Sequence, residues 1–153
     1  MKYLKTYESK SNPEIKYWKN GHKRYEYWYL NSKKHREDGP AYQKWYENGQ
    51  KEYEGWYLND RLHREDGPVY QKWYENGQKY YEGWYLNGKR HREDGPCLIC
   101  WYDNGQIYSE SWYLNGISYS RDSREDWLMK LKEINSPHYE EQQMIYDTEK
   151  YNL

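Results

Sequence analysis

The side chains that could do chemistry in this chain come in a set that repeats. His35-Arg36-Glu37-Asp38 recurs as His63 to Asp66 and again as His91 to Asp94, each time followed by Gly-Pro. Imidazole and carboxylates together are the usual means of binding a metal or moving a proton. The spacing argues against both. If each unit adds two strands to a sheet, equivalent histidines stand about 10 Å apart at roughly 4.8 Å per strand. A zinc ion needs its ligands at about 2.0–2.2 Å, so no two of these histidines can share one. Within a unit, neighbouring residues of a strand point to opposite faces. The tetrad therefore reads as a packing device: His against its cross-strand Trp, Asp capping the bend before Gly-Pro, Arg and Glu paired across strands.

Two other patterns could carry activity. Cys97-Leu98-Ile99-Cys100 has the spacing of a redox pair, but it falls in an apolar run expected to be a strand. Positions i and i+3 face opposite sides there, which is poor disulfide geometry, and no helix N-terminus is at hand to acidify a thiol. The second pattern is a ladder of tyrosines: Tyr42, Tyr46, Tyr53 and Tyr57, with Tyr70, Tyr74, Tyr81 and Tyr85 one repeat later, interleaved with Lys44, Lys51, Lys72 and Lys79. Aromatic rings among cations can bind a protein, stack on a base, or hold an anionic headgroup. Glu54, Glu75 and Glu82 dilute the basic character. These eight tyrosines, with Arg36, Arg64 and Arg92, are the candidate binding residues. No residue stands apart as a catalytic centre, and no cofactor or metal is expected.

The elements that must position these side chains follow from the period. Residues 35–62 and 63–90 are identical at 23 of 28 positions, and the pattern extends back to Tyr17-Trp18-Lys19-Asn20-Gly21 and forward to Trp112-Tyr113-Leu114-Asn115-Gly116. A repeat of this length is the mark of a stacked array. Asn-Gly at 48–49, 76–77 and 104–105 alternates with Asn59-Asp60, Asn87-Gly88 and Asn115-Gly116. Between aromatic runs, such dipeptides signal β-hairpins with type I′ turns. Strands are expected near 41–47, 51–58, 61–65, 69–75, 79–86, 89–93, 97–103 and 107–114, in one antiparallel sheet. Two-residue turns would pair Trp73 with Tyr80 and Val69 with Trp84. That puts tryptophans on a better-buried face and tyrosines on an accessible one.

After Ile117 the motif decays to Tyr119-Ser120-Arg121-Asp122-Ser123-Arg124. Ser123 reads as an N-cap, and Trp127, Leu128, Leu131 and Ile134 recur at helical spacing up to Pro137, with a second helix expected over 139–150. The predicted protein is mainly β: an elongated antiparallel meander of β-hairpin repeats over 1–122, with a helical cap over 123–153 closing the array.

Composition sets the remaining bounds. The chain has no Phe and one Val against 22 Tyr and 9 Trp. So few aliphatics would ordinarily mean disorder, but each aromatic side chain can bury about 150–250 Å². A net charge of −1 gives duplex nucleic acid no electrostatic reason to bind. The Met1–Lys5 stretch has no apolar run of a secretory leader, and no segment has the length of a membrane span, so a cytoplasmic address is the default expectation.

Tyr81-Glu82-Gly83-Trp84-Tyr85-Leu86-Asn87-Gly88-Lys89-Arg90-His91 resembles a MORN repeat, and more closely the variant class found in bacterial antitoxin-like proteins and large DNA viruses. The resemblance covers residues 14–118. Trp and Tyr are shifted by one place, and Arg-Glu-Asp-Gly-Pro replaces the family's Gly-x-Gly after His. It implies an elongated antiparallel sheet that contacts proteins or, in some members, phospholipid, and it implies no chemistry. The expected function is a non-enzymatic binding or scaffold module for a protein partner, of a viral or antitoxin-like kind. The alternative is a binder of a small anionic ligand, nucleotide or phosphoinositide headgroup through the repeated His, Arg and Lys.

Overall fold

A computed structural model describes residues 13–120 and 123–151; Met1–Lys5 and the decayed positions Arg121 and Asp122 lie outside the described residues. Among the described residues fifteen strands and two helices follow in chain order. The long hairpins pair β1 (Glu14–Tyr17) with β2 (Lys23–Tyr27), β5 (Tyr42–Trp45) with β6 (Lys51–Gly55), β9 (Tyr70–Trp73) with β10 (Lys79–Gly83), and β13 (Leu98–Trp101) with β14 (Ile107–Leu114). Between them lie short hairpins, β3 (Tyr29–Leu30) with β4 (Lys33–Lys34), β7 (Tyr57–Leu58) with β8 (Arg61–Leu62), and β11 (Tyr85–Leu86) with β12 (Lys89–Arg90). β15 (Ile117–Tyr119) closes the array, and α1 (Arg124–Glu133) and α2 (Tyr139–Tyr151) follow. The fold is the expected antiparallel meander with C-terminal helices. Nine strands form one sheet in the order β1-β2-β5-β6-β9-β10-β13-β14-β15.

The short hairpins do not join that sheet, which corrects the expectation of a single one. The predicted strand 51–58 breaks at Trp56. Its N–H donates forward to the Val69 carbonyl, while its own carbonyl accepts from the His63 N–H. Trp28 and Trp84 make the same switch. Each tryptophan is thus a corner where the chain leaves the sheet ladder for a two-residue hairpin.

The two turn series also differ. Asn31-Ser32, Asn59-Asp60, Asn87-Gly88 and Asn115-Gly116 have positive φ at both residues, as a type I′ turn requires. In the Glu47-Asn48-Gly49 series only the glycine is left-handed, at φ 84–85° for Gly49, Gly77 and Gly105. The Tyr74 N–H reaches the Gln78 carbonyl across three loop residues. This is the type I turn with a glycine bulge, and the extra residue shifts the register. Trp73 therefore faces Lys79, not Tyr80. A bulge at Tyr80 then restores the expected register, with Lys72 opposite Tyr81 and Tyr70 opposite Gly83. Only at the corner does the Val69 N–H bond the Gly83 carbonyl in place of facing Trp84.

The aliphatic core sits at one end. Trp112 and Leu114 of β14 pack with Trp127, Leu128 and Leu131 of α1, and Tyr119, Tyr139 and Tyr146 close around them. Ser123 makes no side-chain cap; its hydroxyl donates to the Ser120 carbonyl instead. Ile134, expected on the buried stripe, is 40% exposed at the helix end. No helix among the described residues is long and apolar enough to cross a membrane.

Candidate functional site

Register assigns the side chains to faces. One row across the sheet runs Tyr27, Tyr42, Gly55, Tyr70, Gly83, Leu98. The next row on the same face runs Lys16, Tyr25, Lys44, Tyr53, Lys72, Tyr81, Cys100. The opposite face carries Glu26, Gln43, Glu54, Gln71, Glu82 and Ile99.

On the first face the tyrosine rings fill the space over the glycines. A Cβ at Gly55 would stand 2.6 Å from the Tyr53 hydroxyl and 2.7 Å from the Tyr57 ring. Tyr27 stacks on Tyr42 at 4.3 Å between centroids and 7° between planes, and Tyr42 leans on Tyr53 at 5.0 Å. A second cluster joins Tyr70 to Tyr81 at 5.4 Å and to Tyr85 at 5.8 Å. Hydroxyls complete the contacts: Tyr53 with Tyr57 at 3.1 Å, and Tyr70 donating to Tyr81 at 3.0 Å. Burial, reinforced by these phenol–phenol bonds, pushes the hydroxyls of Tyr53 and Tyr70 well above their usual pKa and that of Tyr27 up to about 12. The rings stay neutral at any physiological pH. Cations border them: Lys34 lies over Tyr42 and Tyr57, and Arg90 donates to the hydroxyls of Tyr85 and Tyr113.

Not every candidate tyrosine belongs to this surface. Tyr46 and Tyr74 donate their hydroxyls to the carbonyls of Trp73 and Trp101, at 2.8 and 2.9 Å, and so bind each unit to the next. Asn48 and Asn76 do the same from the turns, donating to the carbonyls of Glu75 and Asp103. Tyr25, Tyr27 and Tyr29 are part of the face although the repeats alone did not single them out. Counting back one period would have found two of them, since Tyr25 and Tyr29 are the counterparts of Tyr53 and Tyr57. A shallow groove of about 360 Å³ opens between repeats, among Tyr42, Lys44, Tyr53, Lys72, Trp73 and Tyr80. The bulge puts Tyr80 here, beside the tyrosines. Lys44 is paired with Glu52 at 2.6 Å, whereas Lys72 has no ion-pair partner among the described residues.

The His-Arg-Glu-Asp segments form a different structure. Arg36, Arg64 and Arg92 lay their guanidinium groups over Trp28, Trp56 and Trp84 at 4.3, 4.2 and 3.8 Å. Each Nε donates to the Asp two residues on, at 2.7–2.9 Å, and each Nη1 points to the following Pro carbonyl. That hydrogen bond from Arg64 holds the Asp66 carboxyl below its usual pKa. Gly67 leaves room for the arrangement, since a Cβ there would come 2.7 Å from the Arg64 Cζ. The arginine covers the indole, while each histidine stands opposite its tryptophan as expected, the N–H of His35, His63 and His91 donating to the carbonyls of Trp28, Trp56 and Trp84. Histidine also ties its unit to the next: His35 Nδ1 meets Asn59 and His91 Nδ1 accepts the Asn115 N–H. In the last unit Arg124, arriving from α1, lies 5.5 Å over Trp112 and takes the place of the missing repeat arginine.

Cys97 is fully buried, its thiol raised to about 11 by desolvation and donating to the Trp84 carbonyl. Cys100 lies on the tyrosine face. Among the described residues no three His, Cys, Asp or Glu side chains come together as metal ligands would. These features define a β-hairpin repeat array with an aromatic face and an arginine–tryptophan ridge. Comparison with protein-family models, curated proteins and solved structures gives no match.

Proposed function

We propose that the chain is a non-enzymatic binding scaffold whose tyrosine face takes a protein partner, as the resemblance to MORN repeats also suggests. The observation that carries this reading is the row in which tyrosines alternate with lysines across successive strands, beside a second row of stacked tyrosines. Tyrosine buries a large area at little cost in side-chain entropy and keeps a polar tip for hydrogen bonding, which makes it a favoured residue at protein interfaces. Lys16, Lys44 and Lys72 recur every two strands, roughly 10 Å apart. An extended segment crossing the strands meets the same chemistry at each step, so weak contacts can add along it.

Pairing of Lys44 with Glu52 leaves one unmatched cation in the groove, which favours a protein with scattered acidic side chains over a polyanion. The guanidinium groups of Arg36, Arg64 and Arg92 are taken up by their own Trp, Asp and Pro, which removes the strongest support for an anion site. The test is affinity capture on immobilised protein, comparing wild type with a Tyr42→Ser/Tyr81→Ser variant. Specific capture should be lost in the variant and should weaken only gradually with salt. A steep salt dependence would point to a polyanionic ligand instead.

A further inference from the structure

At each junction between long hairpins the register is the same: Tyr25, Glu26 and Tyr27 face Lys44, Gln43 and Tyr42; Tyr53 to Gly55 face Lys72 to Tyr70; Tyr81 to Gly83 face Cys100 to Leu98. Side chains repeat with it. Trp18 Nε1, the Tyr46 hydroxyl and the Tyr74 hydroxyl donate to the carbonyls of Trp45, Trp73 and Trp101. The turn amides of Asn20, Asn48 and Asn76 donate to the carbonyls of Glu47, Glu75 and Asp103. Lys23, Lys51 and Lys79 lie over Trp45, Trp73 and Trp101 at 5.3–5.6 Å.

The series stops at β14. β15 pairs only with Trp112–Leu114, so the outer edge of Ile107–Ser111 carries no strand among the described residues. Asn104 turns back on its own Gln106, and Tyr102 is half exposed, with no next-unit carbonyl to reach. At the other end β1 is the opposite edge of the sheet among the described residues, and it is the counterpart of β5, β9 and β13. Two substitutions mark the two ends. Where every internal junction sets a lysine over a tryptophan, the open ends carry Ile107 and Tyr17, 54% and 57% exposed. That is an apolar pair where the internal junctions have a cation on a ring.

We infer that the array docks head to tail on a second copy of this chain, β14 of one copy pairing antiparallel with β1 of the next. The repeat register then sets Ser109 opposite Lys16 and Glu110 opposite Ile15. Asn104 donates to the Lys19 carbonyl, the Tyr102 hydroxyl to the Tyr17 carbonyl, and Ile107 packs on the Tyr17 ring. The α1–α2 cap covers the Trp112–Leu114 half of β14 and leaves the other half for this contact. A contact between unlike ends is heterologous, so it propagates into rings or filaments and does not stop at a dimer. Exposed strand edges are the usual route to such pairing.

Sedimentation velocity over a concentration series tests the inference, with Ile107→Asp and Tyr17→Asp as end-blocking variants and a circular-dichroism melt to show that each still folds. Wild type should give species that grow past dimer as concentration rises. Each variant alone should stay monomeric, because one of its two ends is closed. Mixed in equal amounts, they should form a one-to-one dimer through the two intact ends and nothing larger. A wild type that is monomeric throughout, a single variant that still dimerises, or a mixture that stays monomeric would each overturn the head-to-tail contact. Asn104→Ala, a milder change in the exposed turn, should shift wild-type growth to higher concentration without altering the melt.

Discussion

The array and its C-terminal cap solve the same problem by different physics. The cap buries Trp127 and Leu131 completely against Trp112 and Leu114, as an ordinary hydrophobic core does. The repeats bury few whole side chains: Ala41, Val69 and Cys97 are fully covered, but Trp28, Trp56 and Trp84 are only half-buried under their arginines. Their cohesion comes instead from contacts made once per unit and multiplied by repetition. These are Arg on Trp, Lys on the next Trp, Tyr hydroxyl and Asn amide on the next unit's carbonyls. A sheet built this way can leave one face rich in half-exposed tyrosine without losing its structure. Single substitutions should therefore be severe in the cap and graded in the array.

Trp127→Ala should produce the largest effect. Removing a fully buried indole costs about 3 kcal/mol or more, because the surrounding side chains close the cavity only in part. Native-state hydrogen exchange should rise first over residues 112–114, the part of β14 that the helix covers, and last near β1. Uniform acceleration along the chain would mean that cap and array unfold as one unit.

Alkaline pH should act on the array. Tyr27 has a folded pKa of about 12 against a reference of 10.0, its phenol held neutral by burial and by Tyr42. A raised folded pKa contributes stability that is complete below the unfolded value and is lost as pH climbs through the folded one. Stability should be flat with respect to these groups below pH 10 and fall as pH rises from 10.0 towards 12. Tyrosine absorbance followed alongside the melt checks this: phenolate should appear together with unfolding. Full ionisation without loss of structure would show that the tyrosine column contributes little to holding the array.

Much of this was legible in the sequence because hairpin arrays are governed by local rules. The period, the positions of the turns, the strands of the long hairpins and the aromatic face all follow from Asn-Gly spacing and alternation. The register of the ladder was legible too, since Lys72 opposite Tyr81 and Tyr70 opposite Gly83 are the pairs a two-residue turn sets; its turn end was not. Whether Asn76-Gly77 makes a two-residue turn or a three-residue turn depends on one φ angle at Asn76, and the bulge at Tyr80 that compensates for the longer turn sets that ring beside the tyrosines. The corner at Trp56 was hidden for a similar reason, since the run from Lys51 to Leu58 alternates without a break. The meaning of Arg-Glu-Asp-Gly-Pro needed three dimensions: only folding back over four residues brings Arg64 onto Trp56 and above Gly67. Arg124 is further still from legibility, because it replaces the ridge arginine from a helix rather than from a repeat.

The division of labour between ridge and face is the centre of the account, and a paired measurement of stability and binding tests it most directly. Arg64→Ala removes the guanidinium from Trp56 and should lower stability by about 1–2 kcal/mol, in the range of a partly desolvated cation–π contact. Lys72→Glu changes an exposed residue of the tyrosine face and should leave the melt almost unmoved. In the capture assay, run well below both midpoints, Arg64→Ala should hold the partner as wild type does and Lys72→Glu should release it. Retention by Lys72→Glu with loss in Arg64→Ala would contradict the account and make the arginine–tryptophan ridge the binding surface.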